Sequence, residues 1–196
     1  MKFLFFVSAI KTKKTMLHYF RKFLSPLLVS IVTYQTAPAQ NATTLKIGDP
    51  APTFVLKDSS GADIFLRDYC GSLRQPWKNK TKHVVMLSFF ATWCQPCLKE
   101  IPELEKLAVE FRGQNLKIFL IDLKEQREPV QKFCRENNIT LPVLFDKYGV
   151  VAGKYQATSL PRLFVIGREG RIVWQSTGYQ ENFPVGLSEL LKSQFQ

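Results

Sequence analysis

Val84-Val85-Met86-Leu87-Ser88-Phe89-Phe90-Ala91-Thr92-Trp93-Cys94-Gln95-Pro96-Cys97 decides the architecture, because an unbroken apolar run gives way at once to two cysteines and then to a helical pattern. Apolar residues without alternation are the mark of a strand covered on both faces. Beyond the cysteines, Leu98, Ile101, Leu104, Leu107, Ala108 and Phe111 recur at three-to-four-residue spacing, so one helix face is built to pack against that strand, and Gly113 closes the helix. Pro102 sits inside the pattern and removes one ladder hydrogen bond, which predicts a kink one to two turns after the cysteines. Cys94 therefore opens a helix, where free N–H groups and the helix dipole stabilise a thiolate. Two cysteines separated by two residues can close a small disulfide, so the segment points to thiol–disulfide chemistry.

Downstream, Lys117 to Asp122 reads as a second buried strand and Pro129 to Asn137 as a second helix with Val130, Phe133 and Cys134 facing inward. A short segment from Val150 to Tyr155, strands at Leu163 to Ile166 and Ile172 to Gln175 across a Gly167-Arg168-Glu169-Gly170-Arg171 turn, and a last helix from about Val185 complete the chain. Upstream, Phe54 to Leu56 and Ile64 to Leu66 read as a hairpin, followed by a loop from Asp68 to Lys82 rich in Gly, Pro and Lys. A β-α-β unit followed by a β-hairpin and a helix predicts an α/β fold, a central mixed sheet with helices on both faces.

Residues 1–39 carry six basic residues and no acidic one. From Met16 they follow the order of an export signal: Arg21 and Lys22, an apolar stretch from Phe23 to Tyr34, and small residues at Ala37 and Ala39. We expect cleavage after Ala39, with retention as a membrane anchor as the alternative; the apolar stretch is shorter than the roughly 20 residues of a spanning helix. Six of the 27 basic residues lie in this segment, which leaves 21 against 16 acidic ones, a net +5 in place of +11. The remaining 157 residues, 40–196, suit one domain with a single core. Lys78, Lys80 and Lys82 are three lysines in a loop, too few to argue for nucleic acid as a partner.

With Gly48-Asp49-Pro50-Ala51-Pro52-Thr53-Phe54, Phe89 to Cys97, Glu100, Pro102 and Leu160-Pro161 in place, the chain resembles the thioredoxin-like superfamily and, within it, the extracytoplasmic thiol–disulfide oxidoreductases of the TlpA/ResA type. The resemblance spans about Ile47 to Leu191. It implies a thioredoxin-like fold with an added N-terminal β-hairpin, a cis peptide before Pro161, Cys94 as attacking thiol and Cys97 as resolving thiol. Ser88 departs from the pattern, standing where thioredoxin has a buried aspartate that assists proton transfer. Glu100, an acid the ResA-like members share, is the candidate replacement, against the plainer reading of a solvated glutamate on the helix surface. Trp93, Gln95, Pro96, Leu160 and Pro161 are the candidate substrate-docking residues.

The expected activity is reduction of disulfides in exported proteins, since Gln95-Pro96 lacks the histidine typical of strong oxidants. A membrane thiol transporter is the expected electron donor, the chain is expected to act as a monomer outside the cytoplasm, and no cofactor or metal is needed. Two other functions compete. A peroxidase of the peroxiredoxin type needs a Pro-x-x-x-Thr-x-x-Cys pattern that the residues before Cys94 lack, and a metal-binding module needs a second cysteine pair where Cys70 and Cys134 stand far apart. A structural disulfide between Cys70 and Cys134 is left open, because sequence does not supply their separation.

Overall fold

A computed structural model describes residues 44–76 and 78–196. The segment 1–39 read as an export signal, and Trp77, lie outside the described residues. The apolar run is β3 (Val84–Phe90), buried along its whole length and flanked by β4 (Leu116–Leu123) in parallel and β6 (Arg162–Ile166) antiparallel. With β1 (Val55–Asp58), β2 (Asp63–Phe65), β5 (Val143–Asp146) and β7 (Ile172–Thr177) it forms a mixed sheet in the order β2-β1-β5-β4-β3-β6-β7. The helices are α1 (Gln95–Glu110), α2 (Arg127–Glu136), the short α3 (Val150–Lys154) and α4 (Phe183–Phe195). None of them is long and apolar enough to cross a membrane.

Strand alternation divides the core in two. Val85, Leu87 and Phe89 face a cluster with Phe119, Ile121, Tyr155 and Phe164, whereas Val84, Met86 and Phe90 face Ile101, Leu104 and Leu107 of α1 with Leu187 and Leu191 of α4. Each such side chain contributes about 2 kcal/mol on burial. α1 runs unbroken through Pro102.

The sheet differs from the sequence expectation in one strand. β5 was not predicted: Val143-Leu144-Phe145 is too short to display a period, and its strand character comes from pairing in parallel with β4 and antiparallel with β1. The predicted hairpin forms as an antiparallel pair, Val55 opposite Phe65, but Leu66 leaves the strand and begins a 3-10 turn. The lead-in is tied down by backbone bonds, the Gly48 N–H donating to the Ile172 carbonyl at 2.7 Å and the Ala51 N–H to the Gly170 carbonyl at 2.9 Å. Gly170 must be glycine here, since its φ is +75° and a Cβ would come within 2.9 Å of the Gly71 Cα.

No bridge joins Cys70 and Cys134. Both are free, and they belong to the cores on opposite faces of the sheet, which the β-layer keeps apart.

Candidate active site

Three elements meet at the carboxyl end of β3. The chain leaves the strand at Phe90, makes a turn from Ala91 to Cys94 closed by the Cys94 N–H donating to the Ala91 carbonyl at 3.0 Å, and enters α1 at Gln95. Cys94 is the N-cap of that helix, and its sulfur accepts from the Cys97 N–H at 3.3 Å. Side-chain capping by sulfur is the local reason the helix starts here, with Pro96 pre-set for its first turn. Cys94 and Cys97 form a disulfide across a Cα separation of 5.3 Å, and both are buried. In the reduced state the same N–H group and the helix N-terminus favour a Cys94 thiolate.

Around the disulfide the surface is open on one side. Trp93 is 68% exposed, and Gln95, Pro96 and Lys99 are exposed along the first turn of α1. Leu160 and Pro161 approach from β6, joined by a cis peptide bond, and the Pro161 carbonyl accepts from the Gly178 N–H at 2.8 Å. A cleft of about 300 Å³ between these parts is lined by Gln95, Pro96, Lys99, Leu160, Gly178 and Tyr179. Of the residues singled out for docking, Gln95, Pro96 and Leu160 line this cleft and Trp93 and Pro161 do not; Lys99 and Tyr179 line it as well, and nothing in their sequence surroundings marked them. A second cis peptide, Gln75-Pro76, lies away from this site in the β2–β3 loop.

Glu100 does not lie on the solvated surface. It is 2% exposed, on the face of α1 that covers β3, and the Ser88 hydroxyl donates to its Oε1 at 2.6 Å. Burial pushes the Glu100 carboxyl up to about 7, and the Ser88 hydrogen bond opposes the rise. Ser88, noted in the sequence only as a departure, is thus Glu100's partner; alternation along β3 aims it at α1. A polar residue inside an otherwise apolar buried strand was the available signal, because buried hydroxyls find partners.

Behind the turn lies a second acid. Glu125, in the β4–α2 connection, takes the Thr92 N–H on Oε2 and the Thr92 hydroxyl on Oε1, each at 2.6 Å. Asp122, fully buried at the end of β4, accepts from the Glu125 N–H at 3.3 Å, and burial followed by the neighbouring Glu125 raises its carboxyl above the ordinary range. The two free cysteines are chemically quiet by contrast: burial pushes the Cys70 thiol up to about 12 and raises that of Cys134.

The matched relatives agree with this geometry. The AhpC/TSA family profile matches residues 47–175, from the lead-in into β7. The thiol–disulfide oxidoreductase ResA of Bacillus thuringiensis subsp. konkukian is 31% identical over 136 residues, 69% of this chain and 72% of that protein. ResA of Bacillus subtilis is 33% identical over 131 residues, 67% of each. A solved structure described as the thiol:disulfide interchange protein DsbE from Chlorobium tepidum matches with a TM-score of 0.67 at 25% identity, covering 78% of this chain and 99% of that one. The chain belongs to the AhpC/TSA family and, with its Cys94–Cys97 pair on a thioredoxin-like fold, is a thiol–disulfide oxidoreductase of the ResA kind.

Proposed function

We propose that this protein works outside the cytoplasm as a disulfide reductase, with residues 40–196 as the working domain released from, or anchored by, the segment 1–39. The observation that carries thiol–disulfide exchange is the Cys94–Cys97 disulfide at the start of α1, with the buried Ser88–Glu100 pair beside it to move a proton in either direction. The reducing direction rests on Gln95-Pro96, which lacks the histidine typical of strong oxidants. The Cys94 thiolate attacks one sulfur of the substrate disulfide. That S–S bond breaks, a mixed disulfide forms at Cys94, and the departing thiolate takes a proton. Glu100, ionised at that moment, accepts the proton of Cys97, whose thiolate attacks the Cys94 sulfur. The Cys94–Cys97 bond closes and the second substrate thiolate departs, protonated from Glu100. Two electrons have passed from the dithiol to the substrate, and a membrane thiol donor restores them.

A carboxyl poised near 7 suits this role at neutral pH, where it both accepts and returns a proton. Trp93, Gln95, Pro96, Leu160 and the cis Pro161 hold the substrate segment that flanks its disulfide, and a cysteine-containing exported protein, such as an apocytochrome c before haem attachment, is the fitting client. Direction is tested by equilibrating the Cys94–Cys97 couple with glutathione. A potential near that of thioredoxin, about −270 mV, supports reduction, and one near that of DsbA, about −120 mV, sinks it.

A further inference from the structure

The turn that presents Trp93 and Cys94 is gripped from outside its own elements. Thr92 is its second residue, and both of its hydrogen-bond donors, the N–H and the hydroxyl, go to one carboxylate, Glu125. That carboxylate reaches back because Lys124, just before it, adopts a left-handed φ of +63°. A lysine rarely adopts this conformation, and such strain persists only where the surroundings over-determine it. The surroundings are visible: the Lys124 N–H donates to the Asp146 carbonyl at 3.3 Å, and the Asp122 carboxyl receives the Glu125 N–H. Asp122 stands opposite Phe90 in the β3–β4 register, so the strand that ends in the active-site turn and the strand that carries the clamp leave the sheet side by side.

We propose that Glu125 is a positioning residue for the exchange reaction, holding the Ala91–Cys94 turn through Thr92 so that Trp93 and the Cys94 sulfur are aligned with an incoming protein disulfide. Thiol–disulfide exchange needs three sulfurs nearly in line, and a bulky substrate leaves the turn no freedom to search for that alignment after docking. A small reagent carries no such demand. The inference rests on Cys94 being the attacking thiol and extends it to a residue that touches neither sulfur.

The test compares insulin reduction with alkylation of Cys94 by iodoacetamide at high pH, where the thiol is fully ionised, in wild type, Glu125→Ala, Glu125→Gln, Thr92→Val and the Glu125→Ala/Thr92→Val double variant. Glu125→Ala is expected to lower kcat/KM for insulin about tenfold while alkylation changes less than about twofold. Glu125→Gln still offers an oxygen to the Thr92 N–H and an amide to its hydroxyl, and is expected to restore most of the rate. The double variant is expected to be no slower than Glu125→Ala, since both substitutions break one clamp. Additive losses, or insulin reduction and alkylation falling together, or no loss in Glu125→Ala, overturn the proposal. Should Glu125→Ala fail to fold, Thr92→Val keeps the N–H bond and carries the same test, with about a threefold loss expected and an unchanged rate overturning it. A wild-type protein that alkylates at Cys94 yet reduces no insulin overturns the reductase reading itself, an outcome legible before any variant is compared.

Discussion

Glu100 and Asp122 are two buried acids on the same face of the sheet, and they arrive at raised carboxyl values by different routes. Glu100 sits alone among apolar side chains, and its nearest polar partner, Ser88, donates a hydrogen bond that favours the ionised form. Asp122 is buried as completely, but the carboxylates of Glu125 and Asp146 add to the rise, and its Oδ1 has no hydrogen-bond partner among the described residues. Desolvation alone raises the first acid, while desolvation and the neighbouring Glu125 and Asp146 raise the second. The difference teaches where each is useful. Both are raised to about 7, but the ionised form of Glu100 meets a hydroxyl donor, whereas that of Asp122 meets further carboxylates and is held by the Glu125 N–H.

The largest expected effect is on stability against pH. Glu100 ionises near 4.5 when unfolded and near 7 when folded, so between those values the native state holds a proton that the unfolded state has released. Stability therefore falls as pH rises through this window, by about 3 kcal/mol in all. Urea unfolding at about pH 5 and about pH 8 should register the fall, and Glu100→Gln should remove the share that belongs to Glu100, leaving the decline of Asp122, whose carboxyl is raised to about 7 as well. An unchanged slope in Glu100→Gln would mean that Glu100 is solvated, and the comparison would break.

Next in size is the kinetic consequence. If Glu100 takes the Cys97 proton, Glu100→Gln slows release of the substrate from the mixed disulfide by about thirtyfold near neutral pH, roughly 2 kcal/mol, without slowing its formation. Quench-flow trapping of the mixed disulfide separates the two steps. Equal slowing of both removes Glu100 from the proton path.

Asp122→Asn probes the other acid and should act in the opposite sense. Asparagine keeps an oxygen for the Glu125 N–H and removes the charge that Glu125 and Asp146 oppose. We expect about 2 kcal/mol more added stability at about pH 8 than at about pH 5, and none below about pH 4, where Asp122 is protonated folded and unfolded alike. Equal gains at both pH values would show that charge is not the cause.

Much of this arrangement was legible before any coordinates, because it is local. The apolar run of β3, the spacing on α1 and the helix-opening cysteines report their own environment within a few residues. What was not legible depends on contacts across the sheet. Glu100 three residues after Cys97 is compatible with any helix surface; only its packing on β3, and the alternation that turns Ser88 toward it, makes it buried. Val143 to Phe145 gain strand character from neighbours on both sides. Glu125 and Thr92 stand 33 residues apart and leave no mark in either segment. The Cys70–Cys134 question had the same form, since which face of a sheet a loop residue joins is decided by topology.

The smallest expected effect is also the most discriminating between the two acids. Ser88→Ala removes the one side-chain donor to Glu100 among the described residues without adding bulk or charge, and Ser88 is itself buried, so no water takes its place freely. Because that bond favours the ionised carboxylate, its loss moves the Glu100 carboxyl further above 7. The cost should be about 1 kcal/mol at about pH 8, where the carboxylate is left without its donor, and much less at about pH 5, where Glu100 is protonated in either protein. The pH midpoint of substrate release should move upward in step, whereas Asp122→Asn, acting on an acid outside the proton path, should leave that midpoint where it is. A midpoint that moves with Asp122→Asn and not with Ser88→Ala would exchange the roles assigned to the two acids.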